Sequence, residues 1–101
     1  MKGVSNPKAR IVSGTYTGDG AGTQAITGVG FQPDAIFVFS QLPAGNYDYY
    51  KDRNMGLNAR ILNTDYQADV IISLDADGFT VGDTQGINAA ARLYSYLALK
   101  N

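Results

Sequence analysis

The chain of 101 residues contains no cysteine, no histidine, no tryptophan and no glutamate. Without cysteine it has no disulfide framework, no thiolate metal site and no cysteine nucleophile. Without histidine it lacks the usual general base, the Ser-His-Asp triad and the commonest metal ligand. Any catalysis would rest on Asp, Lys, Tyr, Ser or Thr, and no spacing of these residues suggests such a site. We therefore predict a protein that is not an enzyme and that uses no cofactor and no metal.

An excess of charge and long apolar runs are also lacking. Eight Lys and Arg residues oppose nine acidic residues, for a formal net charge of −1. Nucleic-acid binding needs a clustered basic excess, so we expect no nucleic-acid partner. No apolar run approaches the ~18–20 residues that span a bilayer, and the N-terminus lacks the apolar middle of a signal peptide. We expect a protein that is made in a cytoplasm and has no membrane partner.

The residues that are abundant favour β-structure. All nine acidic residues are Asp, and they accompany 12 Gly, 7 Tyr, 7 Thr and 7 Asn. Asp, Asn and Gly favour turns, whereas Tyr and Thr favour strands. About seven strand-like segments alternate with turn signals roughly every 8–12 residues, which is typical of an antiparallel sandwich or barrel. The predicted fold is all-β, an antiparallel β-sandwich or jelly-roll-like barrel.

Two segments give the clearest strand signals. Residues 35–40, AIFVFS, are apolar on both faces, so we expect a central strand that is covered on both sides. The last strand, residues 92–100, alternates leucines with Tyr94 and Tyr96. The two tyrosines are therefore predicted to share one face, in the core or in a subunit contact, and this strand is expected to be held in a sheet.

The predicted organisation is a single domain with an arm. Residues 1–8 are polar and are interpreted as an extended N-terminal arm. Residues 9–101 then form one β-sandwich domain. Within it, residues 41–56 are interrupted by proline and glycine, which predicts a long loop of the kind that is often functional.

Two short motifs resemble binding loops but are interpreted as turns. Residues 18–22, GDGAG, look like a phosphate loop, but a strand-like segment follows at 23–27 where a dinucleotide site needs a helix. Residues 75–78, DADG, resemble part of a calcium loop, but the chain has no Glu for the bidentate ligand. We predict a hairpin turn there, with Gly78 in the left-handed conformation.

The candidate binding residues lie mainly in the predicted loop. Tyr47, Tyr49 and Tyr50 stand close to Arg53. Tyr and Arg are enriched at protein interfaces, and tyrosine rings also stack on sugars. The same tyrosines could instead cap an open end of the sandwich, so three interpretations stay open. The basic residues of the arm and the first strand are further interface candidates: Lys2, Lys8 and Arg10.

The first third of the chain resembles small structural β-domains of tailed bacteriophages. Residues 14–20 are GTYTGDG, which is similar to the turn G-x-Y-T-G-[ND]-G of those proteins. Residues 24–34 are QAITGVGFQPD, which is similar to their I-x-x-[VL]-G-F-x-P-D segment before an apolar strand.

The end of the chain carries the same resemblance. Residues 75–82 are DADGFTVG, Asn88 follows, and residues 94–100 are YSYLALK, similar to a D-x-D-G-F-x-[VL]-G … N … Y-x-[YW]-[IVL]-A-[FL]-[KR] ending. Residues 86–91 lack the N-x-x-G turn common in the family, and residues 41–66 carry no match. Such domains occur as capsid decoration (cement) proteins and as modules of tail or fibre proteins.

The resemblance implies a non-enzymatic virion protein on the capsid surface. The leading hypothesis is a capsid decoration protein, a homotrimer that binds the major capsid protein and stabilises the shell. Residues 1–10 and the 41–56 loop are its candidate contact elements. The alternative is a carbohydrate-binding module of a tail, a fibre or the head surface, which would bind a host surface glycan through the loop tyrosines and Arg53.

Overall fold

The computed structural model describes residues 10–40, 48–56, 58–61, 66–68, 70–83 and 85–101. This part of the chain forms nine strands and one four-residue helix. In chain order they are β1 (Arg10–Thr17), β2 (Gln24–Ile26), β3 (Ala35–Ser40), β4 (Asp48–Asp52), β5 (Asn58–Ile61), β6 (Tyr66–Ala68), β7 (Ile71–Asp75), β8 (Gly78–Val81), α1 (Gln85–Asn88) and β9 (Leu93–Lys100).

The strands form two antiparallel sheets. The larger sheet has the order β1-β9-β3-β4-β5-β6, and the smaller has the order β2-β8-β7. All the pairings are antiparallel. The predicted all-β sandwich class is therefore confirmed.

The core lies between the two sheets and is made by alternate residues of their strands. Ile36, Val38 and Tyr94 of the larger sheet are fully buried, as are Phe79 and Val81 of the smaller sheet. Burying a side chain of this size contributes about 1.5–3 kcal/mol. The buried apolar side chains of the described residues form one cluster, to which these five belong.

The last strand is held in a sheet, as the sequence predicted, and the structure places it between β1 and β3. β9 pairs with β1 from Arg10 opposite Lys100 to Thr17 opposite Leu93, and pairs with β3 on its other side. Tyr94 is fully buried, and its ring stacks on Tyr16 with centroids 5.1 Å apart. Of the two locations left open for the tyrosines of this strand, the structure shows the core.

The prediction of one uninterrupted loop over 41–56 was wrong. Asp48–Asp52 form β4, which pairs with β3, and residues 41–47 lie outside the described part of the chain. Buried and more exposed residues alternate along β4. The sequence does not show this alternation as a hydrophobic pattern, because the inward residues are Tyr49 and Lys51 rather than two aliphatic side chains. β4 and the short β6 bring the strand number above the seven expected.

The two predicted turns are present, but the reason why residue 78 must be glycine differs from the predicted one. Residues 18–23 connect β1 to the strand β2, and Ala76 and Asp77 form the hairpin turn between β7 and β8. Gly78 does not have the left-handed backbone that was predicted. Glycine is needed there because any Cβ would collide with the carbonyl oxygen of Ile26 on the adjacent strand.

Candidate functional site

The larger sheet presents apolar side chains on the face that points away from the core. These residues alternate with core residues along β1, β3, β4 and β9. Ile11 is 69% exposed, Leu93 is 45% exposed, and the others are half-buried. We call this set the outer face: Ile11, Phe37, Phe39, Tyr50, Leu93, Leu97 and Leu99.

Strand register makes the outer face continuous. Phe37 lies opposite Leu97 on one side and opposite Tyr50 on the other. The ring centroids of Phe37 and Tyr50 are 4.9 Å apart, and those of Phe37 and Phe39 are 6.1 Å apart. Four strands at the usual spacing give a surface of about 400 Å². Contiguous apolar patches of this size on a soluble domain are often interaction sites.

This face also corrects an expectation about β3. The sequence predicted that both sides of the strand are covered, and Ile36 and Val38 are indeed fully buried. Phe37 and Phe39 on the other side are only half-buried. Among the described residues, no second layer of strands packs on them.

Two aspartates of β4 stand beside the apolar residues of the outer face. Asp48 and Asp52 stand on the same side of β4 as Tyr50. The Tyr50 hydroxyl donates a hydrogen bond of 2.9 Å to Asp52 Oδ2. Partial burial, followed by this hydrogen bond, raises the pKa of Tyr50. The hydroxyl therefore stays protonated and continues to donate, which fixes the ring on the apolar surface.

The candidate residues of the predicted loop do not form one cluster. Tyr49 is 1% exposed and belongs to the core, so it is not available to a partner. Tyr50 lies on the outer face. Arg53 is at the end of the sandwich, where its Nη1 atom is 3.2 Å from Asp34 Oδ1. Tyr47 lies outside the described residues.

The basic candidates divide in the same way. Lys2 and Lys8 lie outside the described residues, together with the whole predicted arm. Arg10 is exposed, and its guanidinium carbon lies 5.6 Å from the ring centroid of Phe31. Its Nη1 donates to the carbonyl of Gly30 at 3.3 Å. Arg10 is therefore a surface residue that also covers one edge of the core.

A cleft of about 360 Å³ opens between the sheets at the end where Arg53 lies. We call it the end cleft. Its charged lining residues are Asp34, Lys51, Asp52, Arg53 and Lys100. Lys51 is 2% exposed, and its Nζ donates to the carbonyl of Gly56. Burial lowers the pKa of Lys51, and the neighbouring Asp52 carboxylate partly opposes that shift.

Sequence reasoning missed one structural residue, Asn88. It is 1% exposed, and its Oδ1 accepts from the Asp19 backbone N–H at 3.0 Å. Its Nδ2 donates to Asp19 Oδ1 and to the carbonyl of Ala21. Asn88 thereby holds the β1–β2 turn against α1. Only the family ending, in which an Asn stands at this place, gave a signal for it.

Two other kinds of site are not formed by the described part of the chain. No group of three or more His, Cys, Asp or Glu side chains within it is placed to hold a metal ion. Within the same residues, no helix has the length and apolar character needed to cross a membrane.

The chain belongs to the family of the domain of unknown function DUF7483, whose family model matches residues 7–99. The match runs from before β1 into the last residues of β9. No curated protein and no solved structure matches the chain.

Proposed function

We propose that this DUF7483 protein is a non-enzymatic structural protein of a tailed-phage virion, namely a capsid decoration protein that binds the shell of the major capsid protein and stabilises it. The resemblance of both chain ends to phage structural domains supports the setting. The observation that carries the proposal is the outer face. A protein that acts by adhesion needs apolar side chains that are presented to a partner and not buried in its own fold.

The framework behind the outer face makes these side chains rigid. Phe37 stands between Ile36 and Val38, both of which are fully buried. Leu97 stands between Tyr96, which is 8% exposed, and Ala98, which is fully buried. Rotating either outer residue inward would displace a packed core residue. The surface is therefore preorganised, which lowers the entropy lost on binding.

The outer face of one chain is small, which suits a protein that binds through several identical contacts at once. About 400 Å² is roughly half of the ~800 Å² that one partner contributes to a standard interface. A single contact would be weak, but a homotrimer would present three of them at a high effective concentration. Because the protein would bind the assembled shell and not free subunits, it would stabilise the shell by mass action.

The direct test is to mix the purified protein with undecorated, expanded capsids of the phage that encodes it. Cryo-electron microscopy is expected to show saturating density that follows the symmetry of the shell. Capsids that remain bare at saturating protein would overturn the proposal.

A carbohydrate-binding module is the second candidate, and the arrangement of Tyr50 favours it. The Tyr50 ring packs against Phe37 beside the carboxylates of Asp48 and Asp52, which gives an aromatic platform with hydrogen-bond acceptors at its edge. A glycan array tests it with Tyr50→Ala as the control, because Tyr49 is buried. Saturable sugar binding that this variant loses would favour the module over the decoration protein.

A further inference from the structure

We propose that the outer edge of β1 pairs antiparallel with the same edge of a second copy of this chain, in the register that places Gly14 opposite Gly14. β1 is the last strand of the larger sheet, and among the described strands it pairs only with β9. The contact uses this β1 edge and not the outer face, so the inference does not depend on the proposed function. A two-fold contact joins two chains, and it would add to the proposed trimer rather than form it.

The β1 edge lacks the features that usually protect the edge of a sheet. Natural edge strands are short, bulged, or carry proline or charge. Among the described strands, β2 and β6 have three residues each, and β7 has a register shift in its pairing with β8. β1 has eight residues in unbroken register with β9, and residues 11–17 include no proline and no charged side chain. Ile11 also presents an apolar side chain beside this edge, 69% exposed.

Every second residue of β1 directs its backbone groups away from β9. The N–H of Gly18, the residue after β1, donates to the carbonyl of Arg92 at 2.8 Å. Residues that exchange hydrogen bonds alternate along an antiparallel pair, so the even-numbered residues of β1 bond β9. The odd-numbered residues direct their N–H and carbonyl groups outward, and their side chains are exposed: Ile11, Ser13, Thr15 and Thr17.

A two-fold pair centred on Gly14 uses all of these outward groups. It places Ile11 opposite Thr17 and Ser13 opposite Thr15, each combination twice, for about eight backbone hydrogen bonds between the copies. Hydroxyl and β-branched side chains are favourable neighbours across a pair of strands. A register shifted by two residues in either direction would pair fewer residues of β1.

The ends of this pair are complementary in charge. Arg10 is exposed and is the charged residue of β1. In this register it lies opposite Gly18 of the second copy, one residue from Asp19 of that copy. The two-fold axis repeats the arrangement at the other end, so both ends bring opposite charges near each other.

The hydroxyl of Tyr96 is an independent observation that favours the same register. Tyr96 is 8% exposed, and its hydroxyl lies over Gly14, where a Cβ would stand 2.5 Å from Oη. The hydroxyls of buried tyrosines usually have a hydrogen-bond partner, but this one has none among the described residues. Opposed glycines at this kind of position bring their Cα atoms to about 4.5 Å. The two Tyr96 hydroxyls would then lie close enough to share one bridging water.

The contact is weak between two isolated chains. An edge of eight residues is about 27 Å long, and a thickness of about 10 Å gives roughly 270 Å² buried on each chain. Stable interfaces bury at least ~1,200 Å² in total. Pairing is therefore expected at millimolar concentration or between chains that are already held side by side, and not in dilute solution.

The test is amide hydrogen exchange of the 15N-labelled protein at about 0.05 mM and about 2 mM. The four outward amides should gain several-fold protection at the higher concentration: Ile11, Ser13, Thr15 and Thr17. The even-numbered amides of β1 should be protected at both, because they bond β9. The weight-average mass from sedimentation equilibrium should rise with concentration above its dilute value.

Variants of Ser13 separate pairing of this edge from other contacts. Ser13→Pro removes an outward N–H but no bond to β9, and it should abolish the concentration-dependent protection. Ser13→Ala keeps the N–H and is the matched control. Ser13→Lys also keeps it but places like charges on diagonal positions of the pair, and it should weaken association at least about tenfold at low salt. Well-dispersed spectra would show that the variants are folded.

Three results would overturn the proposal. One is free exchange of the outward amides at every concentration with an unchanged mass. Another is full protection already present in dilute protein of constant mass, because the edge would then be covered within that species. The third is equal association by Ser13→Pro and Ser13→Ala, which would show that the copies meet through another surface.

Discussion

The ring of Tyr96 lies directly over Gly14, its partner across the β1–β9 pair. A Cβ at Gly14 would stand 2.5 Å from Tyr96 Oη and 2.7 Å from Cζ. Tyr96 has little room to move away, because its ring also packs edge-on against Phe79 with centroids 5.2 Å apart. Gly14→Ala is therefore expected to lower the free energy of unfolding by about 1–3 kcal/mol through overpacking.

Chemical denaturation measures this difference, with Gly22→Ala as the matched control. A Cβ at Gly22 would have no neighbour within 4 Å, so that variant should keep the stability of the parent protein. If Gly14→Ala is as stable as Gly22→Ala, Tyr96 does not fill the space over the glycine.

A buried hydroxyl ties β1 to the short helix. The Tyr16 hydroxyl donates a hydrogen bond of 2.7 Å to the carbonyl of Ile87, and both residues are buried. Tyr16→Phe removes the donor and is expected to cost about 1–2 kcal/mol. Burial raises the pKa of Tyr16 well above its ordinary value, so the hydroxyl stays protonated and the loss should be the same at pH 6 and pH 9. Tyr50→Phe, at a more exposed hydroxyl, should cost less, and an equal cost would contradict the account.

The Asp77 carboxylate joins the β7–β8 turn to the connection before β3. The backbone N–H groups of Gly30 and Gly28 donate to it at 2.7 and 3.0 Å. These two bonds hold the pKa of Asp77 below its ordinary value of 3.8. Because the folded-state pKa is lowered, the stabilisation is full above pH 3.8 and is lost as the pH falls through that lower value.

Asp77→Asn should therefore be less stable than the parent at pH 7, and the difference should shrink as the pH falls below 3.8. Denaturation midpoints of both proteins across this range provide the measurement. A difference that persists unchanged at low pH would show that the charge of Asp77 is not its cause.

The proposed trimer predicts a solution mass. Light scattering is expected to give three times the chain mass of 10.8 kDa. A mass of one chain at all concentrations tested would remove the argument from multivalency, because a single outer face of about 400 Å² is too small for a stable complex.

The parts of the fold that could be predicted were those with a local, two-residue period. Tyr94, Tyr96 and Ala98 alternate with the leucines of β9, so the sequence alone separated the two faces of this strand correctly. β4 was not predicted because Lys51 occupies an inward position, where its buried ammonium group donates a hydrogen bond to the carbonyl of Gly56. A charged residue at such a position hides the pattern of a half-buried strand.

The candidate site could not be predicted because it depends on pairing between distant segments. Phe37 and Leu97 become neighbours only when β9 enters the sheet beside β3. No local sequence pattern specifies where β9 enters the sheet, so the sequence could not predict that these residues form one continuous surface. The tyrosines near Arg53 are neighbours in the sequence, but the alternation of β4 places Tyr49 in the core and Tyr50 on the outer face.

The most direct test of the central claim compares shell binding by the parent protein and by a variant with both Phe37→Thr and Leu97→Thr, which keep strand propensity but remove the apolar centre of the outer face. Ile72→Thr, on the smaller sheet, is the matched control. Co-sedimentation with expanded capsids should show at least about a tenfold loss of affinity for the double variant and none for the control. Equal binding by all three proteins would contradict the claim that the outer face holds the shell.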